Sequence, residues 1–321
     1  MPQNKRSNVK EKSLFISCIV PIHNEEENIQ EFLPKLIETI SSHSPRFEII
    51  LIDDGSQDNT LSIIEKEFTQ EYIKLIAFSR NFGKENALTA GLEYCQGDVA
   101  ILIDADSQHP LETIDQFVSK WRGGYDMVYG VRRHRKDETI AKRWFAKLFY
   151  RLMDSLSEVK IPPDAGDFRL LDRKVIDALN SCGEYSRFMK GLYAWVGFKS
   201  YAITYEAQDR FAGKTSWSFF KLFDLALTGI ISFSDIPIRV WGIIGIIISS
   251  LSLAYALWII ISTLVFGVDT PGFATLATAI MFFGGIQLMS IGILGEYIGR
   301  IFREVKKRPH YIIAKTRGFP K

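Results

Sequence analysis

Mostly apolar residues fall in short runs over the first part of the chain, at residues 14–20, 47–52, 74–78, 99–103 and 125–131, with mixed polar and apolar stretches between them. A run this short, bounded by Gly, Pro or Asp, reads as a strand covered on both faces. The stretches between carry helix signals: acids at Glu25, Glu26 and Glu27, a cap at Asp58-Asn59-Thr60, and a helix from about Glu85 to Tyr94. Strand and helix alternating from residue 14 to 131 predict an α/β fold built on a mostly parallel, doubly wound sheet. Another strand is expected over 201–205, helping to close the pocket. Residues 161–170, with two prolines and a glycine, are expected to form a rigid loop, and 187–197 to close over the mouth of the sheet.

The pattern changes after residue 213. Residues 214–234 are rich in Trp, Phe, Leu and Ile with few charges, and 241–265 and 270–295 carry none. Each of the last two runs meets the ~20 residues a spanning helix needs. The expected organisation is an arm over 1–12, a sheet domain over 13–213, interfacial amphipathic helices over 214–239, two transmembrane helices over 240–296 and a basic tail over 297–321. Arg239 precedes the helix pair and Arg300, Arg303, Lys306, Lys307 and Arg308 follow it, which puts both flanks, the sheet domain and both termini in the cytoplasm; Asp269 sits across the membrane. The arm is polar and basic with no apolar core after it, unlike a cleaved signal.

Composition adds exclusions. Lys and Arg number 39 against 37 acids, a net +2, so no global field points to nucleic acid. Cys18, Cys95 and Cys182 have no metal-ligand spacing, which suits packing roles in a reducing compartment. Around residues 132–153, Lys and Arg interleave with Trp144, Phe145, Leu148 and Phe149. That pattern fits a helix lying on anionic lipid, or equally a solvated helix packed on its own sheet.

The candidate chemistry lies where strands end. Residues 99–103 run into Asp104-Ala105-Asp106-Ser107-Gln108-His109-Pro110, and open α/β sheets place ligands at that carboxyl end. Two acids one residue apart repel when empty but bind a hard divalent cation that can carry a diphosphate; taken alone they can also be solvated strand-end acids. Asp53-Asp54-Gly55-Ser56 repeats the arrangement, and Asp54 can accept ribose or base hydrogen bonds or simply form a turn. Arg80 and Lys84 stand in a loop too poor in glycine for a Walker motif, and G-x-G-x-x-G is absent. Arg210 and Lys214 flank Gly213 as a phosphate clamp, or as a loop before a helix.

Taken together in this order, Pro21-Ile22-His23-Asn24-Glu25, Asp53-Asp54-Gly55-Ser56, Ser79-Arg80-Asn81-Phe82-Gly83-Lys84, the Asp104–Pro110 run, Gly166-Asp167-Phe168-Arg169-Leu170 and the paired C-terminal helices resemble the polyprenyl-phosphate glycosyltransferases of glycosyltransferase family 2. The resemblance covers nearly the whole chain. It implies a GT-A fold and inverting transfer of a sugar, UDP-glucose being the first choice of donor, onto undecaprenyl or another polyprenyl phosphate at the inner membrane. GDP-mannose, UDP-GlcNAc or a modified arabinose donor needs only small pocket changes. The resemblance further implies that Pro21, Asn24, Glu25, Asp54 and Ala105 line the nucleotide-sugar pocket with Arg80 and Lys84, and that Asp104, Asp106 and Gln108 hold Mg²⁺ or Mn²⁺. Asp167, Asp106 and Arg132 would be catalytic, Arg132 and Arg169 would meet the acceptor phosphate, and Arg210 with Lys214 would close over the donor. It also implies self-association, as a tetramer. His23 stands where the family commonly has tyrosine.

The acceptor needs little help to react. A phosphate monoester has a second pKa near ~6, so at neutral pH it is mostly a dianion and already a nucleophile. Asp167 then orients more than it deprotonates. A processive polysaccharide synthase would show Q-x-x-R-W, but Ile140 precedes Arg143-Trp144 where the glutamine belongs. A membrane-tethered nucleotide-sugar sensor or scaffold is the non-enzymatic alternative.

Overall fold

The computed structural model describes residues 14–133, 162, 165–185, 187–206, 272–319 and part of 245–265. The chain runs β1 (Phe15–Ile22), α1 (Ile29–His43), β2 (Arg46–Asp53), α2 (Thr60–Glu67), β3 (Ile73–Phe78), α3 (Lys84–Tyr94), β4 (Val99–Leu102), α4 (Thr113–Arg122), β5 (Met127–Arg132), β6 (Ala165–Asp172), α5 (Arg173–Ser181), α6 (Met189–Trp195), β7 (Ser200–Tyr205), α7 (Phe273–Val305) and β8 (Ile313–Arg317). The strands make one eight-stranded sheet in the order β7-β5-β6-β4-β1-β2-β3-β8. Its centre, β4-β1-β2-β3, is parallel, as is β5 with β7. β6 and β8 run antiparallel to their neighbours.

Both faces of the sheet are covered, which is why its strands read as continuous apolar runs. Along β4 the side chains alternate between two cores: Val99 and Ile101 pack with Phe32, Leu36 and Phe117, while Ala100 and Leu102 pack with Leu88, Val175 and Leu192. The second face is crossed closely by α3. A Cβ added at Gly91 would stand 2.3 Å from Cγ2 of Ile19 and 3.1 Å from Cδ1 of Ile52, so only glycine lets that helix approach.

The sheet departs from expectation at two strands. Residues 165–170, expected as loop, belong to β6, which is inserted between β4 and β5. Period-two alternation explains it: Phe168 and Leu170 enter one core and Leu171 the other, while Asp167 and Arg169 share a face of the strand. The stretch 297–321, expected as a basic tail, instead holds the last turns of α7 and the edge strand β8. Ser79 N–H donates to Ile312 O at 2.9 Å, Tyr311 stacks on Phe78 with ring centroids 4.8 Å apart, and Arg317 donates to Phe68 O at the end of α2. Tyr185 N–H meets the Glu304 carboxylate at 2.9 Å, tying α7 to the domain.

Two transmembrane helices are expected; among the described residues one helix, over Phe282–Val305, is long and apolar enough to cross a bilayer. Its Leu288, Ile291, Leu294 and Ile298 side chains are exposed. The first expected span, over 241–265, lies largely outside the described residues, as do the arm over 1–12, the basic helix near 141–153 and the interfacial stretch 214–239.

Candidate active site

The C-terminal ends of β1, β2, β4 and β5 open on one side of the sheet, and β6 brings Asp167 to the same place by running the opposite way. Asp104 follows β4, and Lys84, the first residue of α3, reaches across to it. The Lys84 ammonium lies 2.7 Å from Asp104 Oδ1, 2.8 Å from Asp104 Oδ2 and 2.9 Å from Asp167 Oδ2. One lysine therefore bridges two acids from different strands. Among the described residues, the other Asp167 oxygen, Oδ1, is buried without a hydrogen-bond partner.

These contacts set the charge states. Burial alone would raise the Asp104 pKa, but Lys84, with His109, outweighs it and holds the carboxyl far below its usual range. Asp167 is lowered in the same way, burial opposing and Lys84 prevailing. The Lys84 ammonium is correspondingly driven up by the two carboxylates against the cost of burial. Glu85 beside it goes the other way: burial, then the Asp167 charge, raises it to about 7, although it accepts the Met189 N–H at 3.0 Å.

Asp106 sits two residues on, and the chain turns through Ser107 at φ 57° so that Gln108 N–H donates to Asp106 Oδ1 at 3.1 Å. A serine in the left-handed region carries backbone strain, of the kind that gathers at functional sites. Gln108, expected beside a metal, turns its Oε1 to Arg132 at 3.4 Å. Arg132 is thereby brought to the acid cluster from the end of β5. Ala105 packs its methyl into the core, which leaves only its backbone for a ligand.

Of the residues expected around the nucleotide, Asn24 and Glu25 are largely occupied in shaping the loop after β1. Asn24 is at φ 56°, its N–H donating to Ser56 Oγ at 3.0 Å and its Oδ1 accepting from Gln57 N at 2.8 Å. Glu25 accepts from Asn28 Nδ2 at 2.5 Å. Pro21, within β1, pairs in register with Ile52. Asp54 is buried, and both its oxygens accept backbone N–H groups, from Phe82 and Gly83. Arg80 lays its guanidinium over the Phe82 ring, 3.9 Å from the centroid.

Arg169, expected on the acceptor phosphate, is 3% exposed, and its guanidinium lies 3.5 Å from the Tyr193 ring centroid. With Tyr129, Lys190 and Tyr193 it lines a cavity of about 130 Å³ under α6. Arg210 and Lys214 lie outside the described residues. His109, at the end of the acid run, and Tyr205, in the strand expected to close the pocket, meet here. The His109 ring stacks on Phe168 at 4.7 Å, its Nε2 is 3.5 Å from Asp104 Oδ2, and its Nδ1 is 2.9 Å from the Tyr205 hydroxyl. The Tyr205 hydroxyl and the Asp104 carboxylate thus hold the two ring nitrogens of His109 from opposite sides. Their places in the acid run and in the pocket-closing strand were the available signal; that the two side chains pair with each other was not legible.

Among the described residues no group of three or more His, Cys, Asp or Glu side chains closes around a metal. The donor set at Asp104 and Asp106 nevertheless fits Mg²⁺ or Mn²⁺, hard cations that take one or two carboxylates and fill their remaining places with substrate phosphates and water.

The sheet and the acids at its mouth define a GT-A-like α/β domain. Comparison of the sequence with known families makes this specific: the chain belongs to glycosyltransferase family 2 and is a glycosyltransferase, the profile of that family matching residues 17–179 and that of the GtrB C-terminal hairpin residues 236–301. It is 48% identical to an uncharacterized glycosyltransferase of Synechocystis sp. over 95% of this chain and 96% of that one. It is 45% identical to the SfII prophage-derived bactoprenol glucosyl transferase of Shigella flexneri, over 95% and 99%. A prophage bactoprenol glucosyl transferase homolog of Escherichia coli is 43% identical over 94% and 99%.

Proposed function

We propose that the protein transfers glucose from UDP-glucose to undecaprenyl phosphate, or a related polyprenyl phosphate, at the cytoplasmic face of the inner membrane. The observation that carries this reading is that similarity to bactoprenol glucosyl transferases extends through the sheet domain and the hairpin alike, at 45% identity over 99% of the Shigella flexneri protein.

In the reaction an oxygen of the acceptor phosphate attacks the anomeric carbon, the bond from that carbon to the diphosphate breaks, and UDP leaves with the electron pair. The anomeric configuration inverts. Asp104 and Asp106 would hold a divalent cation, which when bound stabilises the charge that develops on the leaving diphosphate. Because the acceptor is a dianion at neutral pH, no strong base is needed. Asp167, kept ionised by Lys84, orients the acceptor through its uncommitted Oδ1 or takes a residual proton. Arg132 beside Gln108, and Arg169 and Lys190 around the neighbouring cavity, supply positive charge for the acceptor phosphate. Asn24, Glu25 and Asp54 shape the loops that would receive the nucleoside, and Arg210 and Lys214 would close over the diphosphate.

The membrane reading has its own support. β8 hydrogen-bonds to β3 in the same sheet as β1 to β7. A chain that leaves that sheet after β7 and rejoins it must cross a bilayer an even number of times. If α7 spans, a second crossing is required, and the uncharged stretch 241–265 within the hairpin match supplies it. Self-association as a tetramer belongs to the same reading.

The test is transfer from a panel of radiolabelled nucleotide sugars to undecaprenyl phosphate in detergent, with and without EDTA. Metal-dependent label in the lipid phase from UDP-glucose is expected. No label from any donor, in protein that still binds UDP, would replace this reading with the sensor or scaffold.

A further inference from the structure

The acid cluster already holds a cation. Lys84 satisfies both oxygens of Asp104 at 2.7 and 2.8 Å and one of Asp167 at 2.9 Å. Neither Asp104 oxygen is clear of the ammonium, and Asp104 is the acid a divalent cation would also need. We propose that Lys84 is a built-in counter-ion of the cluster, and that it and a divalent metal are alternative partners for Asp104. The metal then enters together with the nucleotide diphosphate and not ahead of it. The inference rests on the assignment of Asp104 and Asp106 as metal ligands.

The electrostatics run in one direction. Carboxylates brought together without a cation raise one another's pKa, and one of them protonates. Lys84 removes that penalty in the ligand-free protein. A dication placed on Asp104 beside the ammonium is repelled by it; the diphosphate brings the negative charge that offsets the repulsion. When Asp104 turns to the metal, Lys84 keeps its second bond and holds Asp167 ionised for the acceptor. Its position is not left to chance. Lys84 begins α3, and the two residues before it are fixed by Asp54, so the loop on the donor side and the cation in the acid cluster form one unit.

The experiment is Mn²⁺ binding to the full chain in detergent, read from the electron paramagnetic resonance signal of free aqueous Mn²⁺, with neither nucleotide nor lipid present. Removing a competitor of ordinary coupling strength should make Lys84→Met bind Mn²⁺ about tenfold tighter than the native protein, with Lys84→Arg close to native. A melting curve checks that each variant folds. Unchanged or weaker Mn²⁺ binding by folded Lys84→Met overturns the proposal. The native protein gives a second reading that needs no variant: its affinity for Mn²⁺ must rise when UDP is added, beyond what the free Mn²⁺–UDP complex accounts for. Equal affinity with and without UDP, or no binding in either case, also overturns it. No arm contains sugar or lipid, so failure of the transfer assay leaves this result standing, and the reverse.

Discussion

Asp54 accepts the Phe82 N–H through Oδ1 at 2.6 Å and the Gly83 N–H through Oδ2 at 2.9 Å, joining the end of β2 to the start of α3. Gly83 sits at φ 98°, a conformation that favours glycine and sets the direction in which the helix leaves. In Asp54→Asn one of the two acceptors becomes an N–H donor facing another N–H, and a buried donor left unmade costs about 1–3 kcal/mol. The loop shifts, and Lys84 with it. Steady-state kinetics should show the KM for the nucleotide sugar raised about tenfold, the equivalent of 1.4 kcal/mol, with a lower kcat. A kinetically native Asp54→Asn would mean that the loop is held by other bonds.

The two acids on either side of the transfer should not be equal. If Asp104 and Asp106 hold the cation as proposed, Asp106→Asn removes one of its ligands, and losses of that kind cost on the order of 10²-fold in kcat. Asp167→Asn leaves a polar group of the same shape beside an acceptor that is already a dianion. In assays saturated with metal, Asp106→Asn is expected to lose more turnover than Asp167→Asn. The reverse ranking would make Asp167 a true base.

Glu85 gives a pH signature. Its carboxyl is raised from 4.5 to about 7 in the folded protein, chiefly by burial. The folded state then holds this proton more tightly than the unfolded state. Stability from this group is full below pH 4.5 and falls as pH rises through about 7. Over that shift the total change amounts to as much as about 3 kcal/mol at 1.36 kcal/mol per pKa unit. Melting temperatures of native protein and Glu85→Gln, measured from pH 5 to 8, should converge at the acid end, move apart as pH rises toward 7 and stay apart above it, with the variant more stable there. Parallel curves would show that Glu85 stays ionised throughout.

Arg317 secures β8. Its guanidinium donates to Phe68 O at 2.5 Å and Glu65 O at 3.4 Å, carbonyls at the end of α2 that otherwise lack helical partners. Arg317→Ala should cost about 1–3 kcal/mol, seen as a lower melting temperature and as faster hydrogen exchange along β3. Exchange at β1 should stay slow.

Much of this architecture is written locally. The parallel strands are legible because burial on both faces demands unbroken Ile, Val and Leu, and the acids at their ends stand out against that background. β6 was not, because Gly166, Asp167 and Arg169 interrupt its apolar pattern, and antiparallel insertion between β4 and β5 is a long-range event. β8 was not, because Lys315 and Arg317 on an edge strand look like the basic flank of a membrane helix. In the site, the motifs single out Asp104, Asp106 and Asp167 as candidates, but the bridge through Lys84 that joins Asp104 to Asp167 depends on where α3 begins. Asp54 and Arg169 carried the right chemistry with a different geometry: one fixes a backbone loop and the other lies buried on Tyr193.

The position of β8 governs the order of assembly. Until residues 313–317 have left the ribosome, β3 is the edge of the sheet, its outward N–H and C=O groups open to any passing strand. Because α7 precedes β8, the long apolar helix is made before the sheet can be sealed. If α7 spans a bilayer as proposed, synthesis commits the chain to lipid while the sheet is still unfinished, and a chain cut short after α7 would keep that helix and carry a sticky edge.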